Sequence, residues 1–267
     1  MTERAVPYRL EAYNTAKLSE NKMHDDTVAQ KFGFTGGLVP GVEVLAYMVH
    51  PAVARWGRAF LERGYIEGRF TRPVYDGETV AVPAVETPDG LDVTVEGSPG
   101  DVRAVGRAAL TAQLPAIALA DYPVTPPVAT RAPVDDASYA LNKWLGSMPR
   151  VWAADDVRVY MEEVREHDSI YAREGLVHPG VIQRVMNKVL VDNALMGPWI
   201  HVGSRMQLMA PVQVGDELTG RARVSAAYER KGHGFVELDA VVVANGQRIV
   251  AHCHHTAIVL PRQLRAA

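Results

Sequence analysis

The stretch LVPGV, residues 38–42, opens an apolar, helix-like segment that runs to about Gly64. It is written a second time as LVHPGV, residues 176–181, opening a segment that runs to about Gly197. Self-similarity of this kind sets the architecture that every later assignment assumes. Each segment leads into a strand, the first through RFTRPVYDGETV, residues 69–80, and the second through RMQLMAPVQVGDEL, residues 205–218. Pro73 therefore pairs with Pro211 and Gly77 with Gly215. In both copies a proline closes a β run, a glycine makes a turn and an acidic residue starts the next strand. A third marker closes each copy: Thr111-Ala112 precedes Leu114-Pro115, and Thr256-Ala257 precedes Leu260-Pro261.

Between the copies, Pro115, Pro123, Pro126, Pro127 and Pro133 rule out regular helix and interrupt any central strand. The expected organisation is an N-terminal unit over 1–114, a proline-rich, exposed linker over 115–136 and a C-terminal unit over 137–267. Strand character follows each helix, over residues 69–75, 78–85, 91–96 and 102–113 in the first copy. Its counterparts in the second are 200–209, 217–227, 235–243 and 248–260. Each copy thus reads as a lead-in strand, one long apolar helix and four antiparallel strands joined by turns such as Asn245-Gly246. A long apolar helix is best hidden by a sheet curling around it, and two such units side by side make one sheet around two helices. The fold class is α+β.

Composition narrows the functions. Of the 267 residues, 48% are hydrophobic and 22% charged, an ordinary globular balance. The net charge of −3 comes from 28 basic and 31 acidic residues with no basic block, so nucleic acid is not an expected partner. Cys253 is the only cysteine, which excludes an intrachain disulfide. No stretch approaches the length of a membrane span and the N-terminal segment lacks an apolar signal core, so the expectation is a cytoplasmic protein without membrane association.

The segment SENKMHDDTVAQKFGFTGGLVPG, Ser19 to Gly41, resembles the hydratase motif of the MaoC-like family of enoyl-thioester hydratases and dehydratases. In that motif Asp-x-Asn-Pro-Ile-His is followed by a small helix, a Gly-Phe pair and an Ile-Ala-His-Gly helix start. Asn21 and His24 occupy the Asn and His positions, Gly33-Phe34 the Gly-Phe pair, and Leu38 to Gly41 the helix start. Ser19 stands at the Asp position and Lys22 at the Pro position. The repeat and its RPVYDGET and APVQVGDEL endings extend the resemblance over the whole chain. It implies a double hot-dog fold and a pocket for a thioester of coenzyme A or of a carrier protein. A homodimer is compatible with it, and no cofactor or metal is implied.

Within that resemblance His24 is the proton carrier, since an imidazole titrates near neutrality; alternatively it braces the short helix starting at Asp25-Asp26. Asn21 orients a ligand or makes an Asx-type turn. Ser19 holds water or the leaving group, or marks lost chemistry, because a neutral hydroxyl cannot act as a general base near pH 7. Glu20, Asp25 and Asp26 are carboxylates that could replace the missing base, Asp26 included among the candidate catalytic residues; acidic residues also favour the first turn of a helix. The backbone N–H groups at Gly41 and Val42 are candidate oxyanion donors at the positive end of a helix. The second copy has no Asn-x-x-His before its helix, so one site per chain is expected, and His178 reads as structural, satisfied by nearby backbone amides. In HCHH, residues 252–255, alternate residues of a strand face opposite sides, so the four cannot converge on a metal without ligands from elsewhere.

Overall fold

A computed structural model describes residues 7–265. Their sequence lays down β1 (Tyr8–Glu11), α1 (Asp26–Lys31), α2 (Gly41–Trp56), α3 (Arg58–Arg63), β2 (Gly64–Phe70), β3 (Thr79–Val82), β4 (Ala84–Thr87), β5 (Gly90–Glu96) and β6 (Val102–Leu110). After the proline-rich stretch come β7 (Trp144–Gly146), β8 (Arg150–Val151), α4 (Ala154–Glu163), α5 (Ser169–Glu174), α6 (Gly180–Val191), β9 (Ile200–Leu208), β10 (Glu217–Arg230), β11 (His233–Ala244) and β12 (Arg248–Leu260). One antiparallel sheet runs β1-β3-β5-β6-β2-β9-β12-β11-β10-β7. The half-sheets join at β2 and β9, where Ile66 faces Met206 and Gly68 faces Ser204. The order 3-5-6-2 on one side of that seam is mirrored by 10-11-12-9 on the other. This is the double hot-dog arrangement.

The repeat extends to individual hydrogen bonds. The Val39 N–H donates to the Val74 carbonyl at 2.8 Å, and the Val177 N–H to the Val212 carbonyl at 2.9 Å. The Arg103 guanidinium donates to the Pro73 carbonyl and the Glu78 carboxylate at 2.8 and 2.6 Å. Arg248 donates to the Pro211 carbonyl and the Asp216 carboxylate, both at 2.7 Å. The acidic residue of each turn thus sits one position ahead of its strand, bracing the turn. Gly77 and Gly215, at φ +72° and +94°, take backbone conformations that disfavour a side chain.

The two helices meet through an ion pair whose acid is buried and whose base is partly exposed. Glu43 on α2, 1% exposed, accepts from Arg184 on α6 at 2.7 Å, and Arg184 also reaches Glu163 on α4 at 2.7 Å. Helix α2 approaches β2 closely at Gly68, where a Cβ would lie 2.7 Å from Leu45 Cδ1.

Several boundaries differ from the sequence reading. The strand expected over 69–75 is β2, Gly64–Phe70. Beyond it the Thr71 and Arg72 N–H groups both turn to the Arg103 carbonyl, and Pro73 has no N–H to continue a ladder. The first helical segment is broken at Gly57, φ +54°, into α2 and α3. The second ends at Val191 rather than near Gly197, where the Asn193 side chain takes up the Val189 carbonyl at 2.8 Å. Pro83 separates β3 from β4 within the strand expected over 78–85. Helices α4 and α5 were not anticipated. The proline-rich stretch is largely irregular but not wholly exposed: Tyr122 is buried on the outer sheet face against Val241 and Val243, and its hydroxyl donates to Asp239 at 3.1 Å. Among the described residues, no helix is long and apolar enough to cross a membrane.

Candidate functional site

A cavity of about 220 Å³ lies at the junction of the two units, beside the start of α2. Its apolar walls include Met23, Phe34, Val44, Phe70 and Ile200, and its polar groups include Asn21, His24 and His201. Three residues singled out in the sequence, Asn21, His24 and Gly41, therefore line one space.

Local chemistry fixes the loop that carries His24. Asn21 caps the single 3₁₀ turn Lys22–His24, its side-chain oxygen accepting from the Met23 N–H at 3.2 Å. The Leu38 N–H returns to the Met23 carbonyl at 3.2 Å, and the Asn14 side chain donates to the His24 carbonyl at 2.9 Å. A side chain at Gly37 would collide with that carbonyl, so the glycine lets the two segments lie together.

The imidazole is oriented from both sides. Its Nδ1 lies 2.6 Å from the Leu38 carbonyl, an acceptor only, so Nδ1 carries the proton. Its Nε2 faces the Asn21 side-chain nitrogen at 3.2 Å. The Asn21 amide has one consistent orientation: its oxygen accepts from the Trp199 N–H at 3.1 Å, and its nitrogen donates to the Trp199 carbonyl at 3.0 Å. The His24 Nε2 lone pair is thus an acceptor. Burial lowers the His24 pKa from 6.5, opposed by the Leu38 hydrogen bond, which favours the neutral ring at pH 7.

The remaining candidates have other surroundings. Ser19, half-buried, does not line the cavity, and its hydroxyl donates to the Asn21 carbonyl at 3.3 Å. Exposed Asp26 accepts from the Gly37 N–H at 2.7 Å. Asp25 caps α1 by accepting from the Val28 N–H at 3.0 Å, and Glu20 pairs with Arg131 at 2.7 Å. Among the described residues, no carboxylate lines the cavity. Gly41 and Val42 are the first residues of α2, preceded by Pro40 without a side-chain cap, so their N–H groups have no partner in their own helix. Gly41 reaches the cavity, whereas Val42 is not among its lining residues. In the second unit, His178 Nδ1 accepts from the Gly180 N–H at 3.0 Å.

Assigning the site to the first copy missed the wall that Trp199, Ile200 and His201 contribute from the second. No motif marks those residues; only the β2–β9 seam brings them to α2. On β12, His252 and His254 share the outer face while Cys253 and His255 are buried, as strand alternation requires. Asp239 on β11, absent from the sequence reading, accepts from His252 at 2.7 Å and groups with both outer histidines. Arg223, 3.6 Å from Asp239, and Arg205, whose charge adds to the effect of burial in lowering the His254 pKa, put positive charge beside this group.

No family model and no curated protein matches this chain. Solved structures do match it over nearly its whole length. A protein described as a MaoC domain dehydratase from Chloroflexus aurantiacus aligns with 11% identity and TM-score 0.63, covering 96% of each chain. A conserved protein from Mycobacterium tuberculosis with a double hot-dog fold aligns with 15% identity and TM-score 0.62, covering 95% of this chain and 96% of its own. A protein described as an oleoyl thioesterase from Lactobacillus plantarum aligns with 9% identity and TM-score 0.54, covering 97% and 98%. At these identities the likeness establishes the double hot-dog fold.

Proposed function

We propose that this chain is a lyase of the hydratase or dehydratase type, or one running a related elimination or isomerisation, that acts α,β to the carbonyl of an acyl thioester of coenzyme A or a carrier protein. The observation that carries the reading is that an unprotonated imidazole nitrogen, His24 Nε2, shares a small apolar cavity with the uncapped start of α2.

In hydration, the water oxygen bonds to the β-carbon while its proton passes to His24 Nε2. The electron pair of the double bond moves toward the carbonyl, whose oxygen takes up charge at the Gly41 N–H at the start of α2. The imidazolium then returns the proton to the α-carbon, and dehydration is the same sequence reversed. The Asn21 contact to Nε2, at 3.2 Å, is the longer of the two ring contacts, so a substrate water would displace that contact rather than the one to Leu38. Asn21 orients the ring, and Ser19 supports Asn21 through its carbonyl. A cavity of about 220 Å³ is below the usual range of about 300–1,000 Å³ for ligand pockets, which suits a short acyl group.

Hydrolysis of the thioester is the second reading, since a protein described as a thioesterase shares the fold. It needs a carboxylate beside the carbonyl, and the nearby ones are engaged elsewhere: Glu20 with Arg131, Asp26 with Gly37. A panel of saturated and α,β-unsaturated acyl thioesters separates the possibilities. Loss or gain of the double bond is the expected result. Release of free thiol alone would establish the hydrolase, and binding without turnover would leave an acyl-binding subunit.

A further inference from the structure

A second polar group reaches the cavity from the opposite unit. His201, Ser204 and His255 form a chain inside the sheet: His201 Nε2 to Ser204 Oγ at 2.8 Å, and Ser204 Oγ to His255 Nδ1 at 3.0 Å. The two imidazoles stack with centroids 4.1 Å apart. Their exposures are 6% for His201, 5% for Ser204 and 0% for His255, so the chain lies within the protein core. Polar groups there are costly unless paired, and each one left unpaired calls for an explanation. Among the described residues His201 Nδ1 has no partner, and neither has His255 Nε2.

The place of His201 depends on a β-bulge. In a regular strand residues 201 and 204 face opposite sides. The register between β9 and β12 shifts between Thr256 and Ala257, which face Gly203 and His201, leaving Val202 as the extra residue. The bulge turns both side chains inward. His201 Nδ1 then lies against the start of α2, where a Cβ at Gly41 would be 2.9 Å from it.

A serine hydroxyl has one proton to give, and among the described residues Ser204 Oγ has no partner but the two imidazoles. Two neutral arrangements use that proton, while a third, with both rings donating to Ser204, leaves it without an acceptor. If His201 donates to Ser204, then Ser204 donates to His255 and an unpaired His255 N–H is sealed in the core. In the opposite arrangement His255 donates to Ser204 and Ser204 to His201. His255 Nε2 then buries only a lone pair, and His201 presents its Nδ1–H to the cavity. An orphaned N–H is the rarer of the two in protein interiors. Burial and the neighbouring His255 hold the His201 pKa well below 6.5 against the opposing effect of a backbone hydrogen bond to Gly203, so the ring stays neutral.

We propose that the His201 Nδ1–H is a second donor of the oxyanion pocket, converging with the Gly41 N–H at the start of α2 on the thioester oxygen, and that Ser204 and His255 fix the required tautomer. His201 would then be a catalytic residue, and Ser204 and His255 positioning residues. A thioester oxygen seated there accepts from these donors at the positive end of α2, and the interactions strengthen as charge develops on it in the enolate. The ligand class is an enolisable acyl thioester. The inference rests on the proposed seating of a thioester carbonyl at the start of α2.

Acetoacetyl-coenzyme A tests it without requiring turnover, because its enolate has its own near-ultraviolet band. Wild-type protein is expected to bind this probe as the enolate. His201→Leu is expected to reduce the proportion of enolate by about 10²–10³ in the keto–enolate equilibrium, the scale of one oxyanion donor. His201→Gln, which keeps a side-chain N–H, is expected to restore part of the band. Ser204→Ala, with the His201 tautomer released, should give an intermediate loss and decides the matter if His201→Leu does not fold by thermal melting. An undiminished band in His201→Leu, or in Ser204→Ala where that variant decides, would overturn the role of His201. Wild-type binding in the keto form alone would overturn it too, while leaving thioester binding intact. Failure of wild-type protein to bind the probe would remove both the oxyanion pocket and the reading on which it rests.

Discussion

Asn21 and Trp199, 178 residues apart, are joined by two hydrogen bonds: the Trp199 N–H donates to the Asn21 side-chain oxygen at 3.1 Å, and the Asn21 side-chain nitrogen donates to the Trp199 carbonyl at 3.0 Å. The amide imitates a strand neighbour, tying the His24 loop of one unit to the entrance of β9 in the other. The same nitrogen faces His24 Nε2. Contact between the units and orientation of the proposed base are thus carried by one side chain.

Replacing Asn21 with Ala should therefore have two effects. Leaving the Trp199 backbone groups unpaired is expected to cost about 1–3 kcal/mol in chemical denaturation. A donor to Nε2 favours the unprotonated ring, so its loss should move the acidic limb of the pH–rate profile upward. A limb that does not move would mean the Asn21–His24 contact has no bearing on the base.

His24→Ala should lower turnover by about 10²–10⁴, the range for a positioned acid or base, on whichever thioester the panel identifies. In wild-type protein the acidic limb should fall below pH 6.5, because burial lowers the His24 pKa and the unprotonated form is the active one. Steady-state rates between pH 5 and 8 would show this, and a limb above pH 6.5 would contradict it. Ser19→Ala, outside the cavity, should shift stability by no more than about 0.5 kcal/mol.

Arg184→Met should destabilise the fold by about 3–5 kcal/mol, since it leaves Glu43 buried without its counter-charge. Replacing Glu43 and Arg184 together with apolar residues should recover much of that loss. A double-mutant cycle by urea denaturation would measure the coupling, and additive effects would show that the pair does not act as a unit.

Stability should fall between pH 6.5 and pH 4. Burial lowers the pKa of His178 to about 4 and of His255 to about 3, and that of His201 well below 6.5. In that window the unfolded chain binds protons that the folded chain does not, so stability is full above pH 6.5 and is lost as pH falls toward the folded values. His178 alone accounts for about 3 kcal/mol on this basis. Glu43, whose carboxyl is pushed up by burial, acts in the opposite sense but is a single group. Denaturant midpoints that stay constant from pH 7 to pH 4 would contradict the prediction.

The repeat was legible in the sequence because both copies reuse the same turn chemistry: a proline without an N–H, a glycine at positive φ and an acid bracing the turn are local requirements. The Asn21 to Gly41 segment was legible for the same reason, since a cap, a short turn and a helix start lie close together along the chain. Strand ends were less so: the departure of β2 from the ladder at Phe70 depends on where the Arg103 carbonyl lies, which residues 69–75 do not contain. Only the tertiary structure decided that the cavity has two walls. Trp199 and His201 reach α2 because β9 pairs with β2 across the seam, and His201 turns inward because Val202 is a bulge. A period-two reading puts His201 and Ser204 on opposite faces. The register with β12, set by residues more than fifty positions away, reverses that, and local sequence holds no record of it.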